Sequence, residues 1–389
     1  MIASRSQGLG PLNIVIFGLS ITSAWGNGHA TTYRALARAL QGRGHRVRFF
    51  ERDMPWYERH RDLAAAPYCD VTLYSSIAEL QQHVAELARA DLLIVGSYVP
   101  EGRGLIEWVL PRASGVKAFY DIDTPVTVGK LARGTCEYLE PKQVPLFDLY
   151  LSFAGGPVIK RLHSEFGAAR PRPFYCSVEP REYFPVPATT KRYDLGYLGT
   201  YSADRQPALE RLLLQPARRW REGLFYVAGA QYPREIQWPA NVVRTEHLAP
   251  AMHRDFYNCQ RITLNITRAD MVSNGYSPSV RLFEGAACAV PIVSDPWPGL
   301  EEFFDPGREI LIARSTSDVL HYLHDLSDTE LLEVGARARH RVLESHTAEH
   351  RALELERHVQ ELFLQPSATP RRRDEPQDAT QHRAGALAL

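Results

Sequence analysis

A chain of 389 residues can hold two domains with sizeable cores. Lys and Arg together number 45, as do Asp and Glu, so the formal net charge is zero and argues against broad electrostatic capture of nucleic acid or an anionic membrane. The five cysteines include no Cys-x-x-Cys pair, which points to a reduced, cytoplasmic protein rather than a disulfide framework or zinc site. The residues before Ile14 lack the apolar stretch of a signal peptide, and no apolar run reaches membrane-spanning length.

Residues 1–11 read as a loose leader. The apolar run Asn13–Gly18 predicts a buried parallel strand. A Gly- and Ser-containing loop follows, then a helix with Tyr33, Leu36, Ala37 and Leu40 on one face, closed by Gly42 and Gly44. His45–Glu51 is the next strand, which completes the opening of a Rossmann-like half. The alternation continues with strands at Val71–Tyr74, Asp91–Gly96, Val116–Tyr120, Asp148–Phe153 and Pro173–Cys176. Helices are expected at Ile77–Leu87, Leu105–Leu110 and Pro157–Phe166. The proline-rich stretch Glu179–Thr190 reads as a linker.

The pattern then restarts. Strands are expected at Tyr193–Leu198, Leu224–Val227, Asn241–Thr245, Ile262–Ile266, Ile292–Val293 and Ile310–Ala313. A helix carries Leu209, Leu212 and Leu213, another spans Ala251–Cys259, and helices run to Leu364. The tail from Gln365 has no core to bury and reads as disordered. The expected units are a first α/β domain over 12–185, a second over 191–345, a C-terminal helix over 346–364, and the tail 365–389.

In open parallel sheets, ligands lie beyond the carboxyl ends of the strands. The polar motifs fall there: Gly26-Asn27-Gly28-His29, Asp121-Ile-Asp123, Gly199, Gly229 and Arg268. The most informative stretch is Tyr276-Ser-Pro-Ser-Val-Arg281-Leu-Phe-Glu284-Gly-Ala-Ala-Cys. Ser277 is positioned to cap a helix whose first residue is Pro278. Ser279 lies in the same turn. Arg281 and Glu284, three apart, share a helical face. An Arg for anionic oxygens beside a Glu for vicinal hydroxyls suits a nucleotide, with an Arg281–Glu284 helix ion pair as the structural alternative. Arg205, Arg268 and Arg281 are candidates for a diphosphate. The glycine loop at 26–28 offers helix N-terminal donors to a phosphate, or is an ordinary tight turn. His29 faces an acceptor or phosphate, or packs. Asp123 is a candidate acceptor ligand or base, or a helix cap, with metal chelation by Asp121 and Asp123 the weaker option. His247 and Asn265 end strands in the second half. Trp25, Tyr138 and Trp297 either stack on sugars or fill cores.

These residues carry a resemblance. Together with Pro298-Gly-Leu-Glu-Glu302-Phe-Phe-Asp-Pro-Gly307, Trp25-Gly-Asn-Gly-His29 and Tyr120-Asp-Ile-Asp-Thr-Pro125, they make the chain resemble GT-B glycosyltransferases, most closely the CgeB-like group related to glycosyltransferase family 4. The resemblance implies an α/β, GT-B fold: two Rossmann-like domains facing across a cleft. It implies a nucleotide-sugar donor held mainly by the second domain, with Glu284 at the donor ribose; the residue readings add Arg281, Ser277, Ser279, Arg205, Gly199, Gly229, Arg268, Gly26, Asn27 and Gly28 as donor-binding candidates. From the residue readings, Asp123 and His29 are the candidate catalytic groups. No metal or other cofactor is expected. Family-4 enzymes carry two glutamates separated by seven residues; Glu284 matches the second, and Tyr276 stands where the first would fall. The implied reaction is transfer, leaning toward retention, to a glycan, small-molecule or protein acceptor. A nucleotide-sugar epimerase and a non-catalytic sugar-nucleotide module are the alternatives. A nicotinamide dehydrogenase is disfavoured because neither half carries the glycine fingerprint.

Overall fold

A computed structural model describes residues 10–364, except Ala64 and Ala188. The expected tail 365–389 and most of the leader lie outside the described residues. Two all-parallel sheets organise the chain. The first has the order β3-β2-β1-β4-β5-β6-β7. Its strands are β1 (Asn13–Gly18), β2 (Arg46–Arg52), β3 (Asp70–Tyr74), β4 (Leu92–Gly96), β5 (Val116–Asp121), β6 (Leu149–Ser152) and β7 (Pro171–Pro173). The second has the order β10-β9-β8-β11-β12-β13. It comprises β8 (Tyr193–Leu198), β9 (Phe225–Ala228), β10 (Val242–Thr245), β11 (Gln260–Asn265), β12 (Ile292–Ser294) and β13 (Leu311–Ile312). The central strands are apolar because helices cover both faces; every residue of Leu-Leu-Ile-Val-Gly in β4 is buried. In each sheet the strand order reverses once, between β1 and β4 and between β8 and β11, and a crevice opens beyond the strand ends at such points.

Five helices place the polar groups: α1 (His29–Gly42), α2 (Thr124–Ala132), α3 (Ala269–Asn274), α4 (Val280–Ala287) and α5 (Ala348–Leu364). Helix α4 lies close to its sheet because its inner face is small. A Cβ on Gly285 would stand 3.1 Å from Thr263 Cγ2 on β11. Helix α5 crosses back to the first lobe, where Glu356 pairs with Arg43 at 2.6 Å and His45 at 2.7 Å. No described helix is long and apolar enough to cross a membrane.

Three details differ from the sequence reading. The last strand of the first sheet is Pro171–Pro173, not Pro173–Cys176. Its prolines are tolerated because it is an edge strand. Beyond it the chain leaves for the second lobe, and the Cys176 thiol donates to Pro278 O at 3.3 Å. Helix α4 starts at Val280, so the cap position is Ser279 rather than Ser277, and the Ser279 side chain makes no capping bond. The expected helix Ile77–Leu87 divides into a 3₁₀ stretch, Ile77–His83, and a short α-helix, Val84–Arg89.

The lobes also meet at Tyr276. Gly155 N donates to Tyr276 O at 2.8 Å, and Tyr276 N donates to Pro298 O at 2.7 Å. The Tyr276 ring lies between Gly156 and Gly299, where a Cβ would come within 2.3 Å and 2.4 Å of it. The position one residue type short of the paired-glutamate pattern is therefore an interlobe packing residue.

Candidate active-site cleft

Between the strand ends lies a cavity of about 500 Å³, within the range of small-ligand sites. The first lobe contributes Trp25, Gly26, Asn27, Gly28 and Thr31. The second contributes the turns after β8 and β9, the segment Glu246–Leu248 after β10, and Arg281 and Glu284 from α4. The two glycine turns of the second lobe touch: a Cβ on Gly229 would stand 2.0 Å from Gly199 O. Only glycine lets these backbones approach so closely.

Of the three candidate arginines, Arg281 alone lines the cavity, with Arg205 and Arg268 beside it. Arg281 faces the cleft, donates to Ile266 O at 3.1 Å and lies 5.7 Å from the Tyr197 ring centroid. Among the described residues it has no carboxylate partner within ion-pair distance, so the Arg281–Glu284 ion pair does not form. Arg205 donates to Thr200 O at 2.5 Å. Burial lowers its pKa, and the charges of Arg281 and Arg268 push the same way. Arg268 approaches Asp123 of the other lobe at 3.7 Å. The Nε atoms of all three arginines are buried without a hydrogen-bond partner, as are Tyr197 Oη and Asn265 Oδ1. Guanidinium donors of like charge that are buried without partners are costly.

Glu284 is 3 % exposed and lines the cleft. Its Oε2 accepts from Tyr257 Oη at 2.9 Å. That bond orients the carboxylate from behind and leaves acceptor capacity toward the cavity.

On the first lobe, the loop after β1 is anchored by Glu51, which ends β2's buried run. Its carboxylate accepts from Ile21 N at 2.6 Å, Thr22 N at 2.9 Å, Thr22 Oγ1 at 2.6 Å and Ser20 Oγ at 3.1 Å. The loop reaches the cleft as foreseen, but its helix-end donors are engaged. Asn27 Oδ1 accepts from His29 N at 3.1 Å and Ala30 N at 3.2 Å, capping α1. Those two amides are therefore not free for a phosphate. His29 is buried beside Tyr98, with ring centroids 5.5 Å apart. Burial depresses its pKa to about 4, so its imidazole is neutral at physiological pH.

The Asp-x-Asp motif is split by the end of β5. Asp121 is fully buried and accepts from Thr127 Oγ1 and Tyr150 Oη, both at 2.6 Å. Burial raises its pKa to about 6. Asp123 turns the other way: it accepts from Tyr98 Oη at 3.0 Å and faces Arg268. Its Oδ1 is buried and unpartnered, and burial raises its pKa despite Arg268 and Tyr98. It occupies the cap position of α2, but its side chain makes no capping bond. No group of three or more His, Cys, Asp or Glu among the described residues has the arrangement to hold a metal.

The cleft surface thus unites Gly26, Asn27, Gly28, Gly199, Gly229, Arg281, Glu284 and His247. Arg205, Arg268, Asp123 and His29 form an adjoining layer. Ser277 is buried and neither it nor Ser279 lines the cavity. Asn265 is buried, its Nδ2 bonded to Ser294 Oγ at 3.0 Å. Tyr138 and Trp297 are core residues. Sequence reasoning missed Tyr98, which holds Asp123 from a left-handed backbone conformation with φ of 62°. Its place two residues past the end of β4 was the available signal.

Two parallel-sheet lobes with helices on both faces and a ligand-sized cleft at the strand ends are the GT-B architecture. Residues 205–357 match the family model described as glycosyl transferase-like. No curated protein matches the chain significantly. Among solved structures, sucrose-phosphate synthase from Thermosynechococcus elongatus is similar at a TM-score of 0.65 and 14% identity, with 91% of this chain and 99% of that one covered. HepE from Anabaena in complex with UDP and glucose gives 0.63 and 10%, covering 90% and 100%. An α-glucosyltransferase in complex with UDP-glucose and DNA containing an abasic site gives 0.65 and 12%, covering 90% and 100%.

Proposed function

We propose that this protein is a glycosyltransferase that moves a sugar from a nucleotide sugar to a hydroxyl-bearing acceptor. The carrying observation is the unpaired Arg281 beside Glu284 on one face of α4, both opening into the interlobe cavity. A nucleoside diphosphate needs an anion site and a diol acceptor about one ribose apart, and this face offers both. The UDP and UDP-glucose bound by HepE and by the α-glucosyltransferase support a UDP-type donor. The CgeB-like motifs support the same assignment.

Glu284 takes the ribose hydroxyls. Arg281 and Arg205 take the diphosphate, with the Gly199 and Gly229 turns close against it. As the bond from sugar C1 to the phosphate oxygen breaks, negative charge grows on the leaving diphosphate, and fixed guanidinium groups stabilise it without a metal. The acceptor oxygen forms the new bond to C1, and its proton passes to Asp123, whose raised pKa suits a base. Neutral His29 orients the acceptor or donor hydroxyls without adding charge. The family-4 likeness carried by Glu284 leans toward retention of configuration.

The test is incubation with a panel of nucleotide sugars, with and without hydroxyl acceptors, reading released nucleoside diphosphate. Acceptor-dependent release that persists in a chelator is expected. Conversion of the sugar nucleotide alone would make the protein an epimerase, and tight binding with no product would make it a binding module.

A further inference from the structure

Trp25 has an unusual setting for so large an apolar side chain. It is 37% exposed and lines the cleft. Its indole stacks on the His60 ring at 4.6 Å between centroids and 9° between planes, so one face is covered. The other face has no ring partner among the described residues. The side chain does not fill a core, yet its backbone is held firmly. Trp25 N donates to Ser23 Oγ at 3.3 Å, and Asn27 Nδ2 donates to Trp25 O at 3.2 Å. The neighbouring Ala24 N donates to Asp62 Oδ1 at 3.2 Å, and Asp62 is in turn clamped by Arg34 at 2.6 Å. Across the cavity, Glu246 and His247 are exposed and make no hydrogen bond or ion pair among the described residues.

We propose that Trp25 is the floor of a saccharide subsite at the mouth of the cleft, so that the acceptor is a carbohydrate. This rests on the glycosyltransferase reading for the word acceptor, though not for the binding itself. A pyranose has a face of C–H bonds and an edge of hydroxyls. The open indole face suits the first, and the unpartnered Glu246 carboxylate and His247 imidazole suit the second. A rigid aromatic whose orientation is fixed before binding loses little entropy on contact. A protein or simple alcohol acceptor has no need of a flat platform bordered by charge. The indole platform lies on the lobe opposite Arg281 and Glu284, with Glu246 and His247 facing it across the cavity from the second lobe.

Saturation-transfer NMR on the UDP-loaded protein with methyl hexopyranosides and disaccharides tests this without requiring turnover. Magnetisation should reach the ring protons of at least one saccharide. Trp25→Ala should weaken that saccharide about threefold to tenfold, and Trp25→Phe should retain most of the binding. UDP affinity, measured on the same variants by calorimetry, should change less than about twofold, which also verifies that they fold. In turnover, the Trp25→Ala loss should fall on the KM for saccharide acceptors and spare glycerol, a hydroxyl compound with no ring. Saccharide binding that is absent from the whole panel, or is indifferent to Trp25→Ala, overturns the proposal. So does a matching loss of UDP affinity, which would assign the indole to the nucleobase. Failure of the nucleotide-sugar panel to release diphosphate overturns the transferase reading instead and leaves the NMR result standing on its own.

Discussion

The two faces of the cleft differ in how their charged groups are met. On the first lobe, the carboxylates that hold the loop after β1 are saturated: Glu51 accepts four hydrogen bonds, and Asp62 is clamped by Arg34 and Ala24 N. On the second lobe, Arg205, Arg268 and Arg281 each keep a buried Nε without a partner. Satisfied polar groups make a rigid scaffold, whereas unsatisfied ones mark where a ligand completes the structure. The loop after β1 is therefore a rigid platform, whereas the second lobe holds guanidinium donors still without partners, a condition shared on the first lobe by Asp123 Oδ1 and His29 Nδ1. Asp123 belongs to both, because its carboxylate meets Tyr98 of its own lobe and Arg268 of the other.

This contrast can be broken at several points. The largest effect should come from Asp123→Asn, which removes the proposed base from the platform side. A fall in kcat of about 10²–10⁴ is expected, with UDP affinity little changed. Loss of UDP affinity without loss of kcat would make Asp123 a partner of Arg268 and nothing more. Arg281→Ala should lower kcat/KM by about 10²–10³, because charge on the leaving group is no longer met. The same substitution should weaken UDP itself, as read by calorimetry, more than it weakens uridine. Glu284→Gln should cost roughly tenfold in UDP affinity, and much less with 2′-deoxy-UDP, since the carboxylate faces a diol.

A smaller effect concerns stability. The Asp121 pKa is raised to about 6 in the folded protein by burial. The unfolded chain therefore releases this proton at lower pH than the folded chain does. The stability from this group is fully present below about pH 4 and is lost as pH rises through about 6. Relative to wild type, Asp121→Asn should gain stability between pH 4 and pH 7, by about 2–3 kcal/mol at most. Denaturant titrations at the two pH values measure it, and a constant difference would contradict the assignment. The smallest expected change is that of chelation. If Arg281 and Arg205 supply the positive charge, turnover in excess EDTA should stay within about twofold of the untreated rate.

Much of this architecture was legible in the chain. Continuous apolar runs such as Leu-Leu-Ile-Val-Gly identified central parallel strands, because burial on both faces leaves no polar alternation. Strand Pro171–Pro173 was misplaced because its pairing depends on where the chain departs for the second lobe, not on its own propensity. Arg281 and Glu284 were readable as one face because helical spacing is local. The fates of Asp121 and Asp123 were not: one ends β5 and turns into the core, the other lies past the strand end and turns toward Arg268. Asn27 illustrates the same limit. As a residue before a helix it was a possible phosphate ligand, and only the folded loop shows its side chain capping α1. The Tyr98 contact depends on a left-handed backbone position that no local pattern announced.

A crystal structure of the protein with UDP tests the central claim most directly. The account predicts the diphosphate against Arg281 and the Gly199 and Gly229 turns, with the ribose hydroxyls within hydrogen-bond distance of Glu284. A nucleotide bound elsewhere, or bound in this cleft with its ribose turned away from Glu284 and its phosphates away from Arg281, would contradict it.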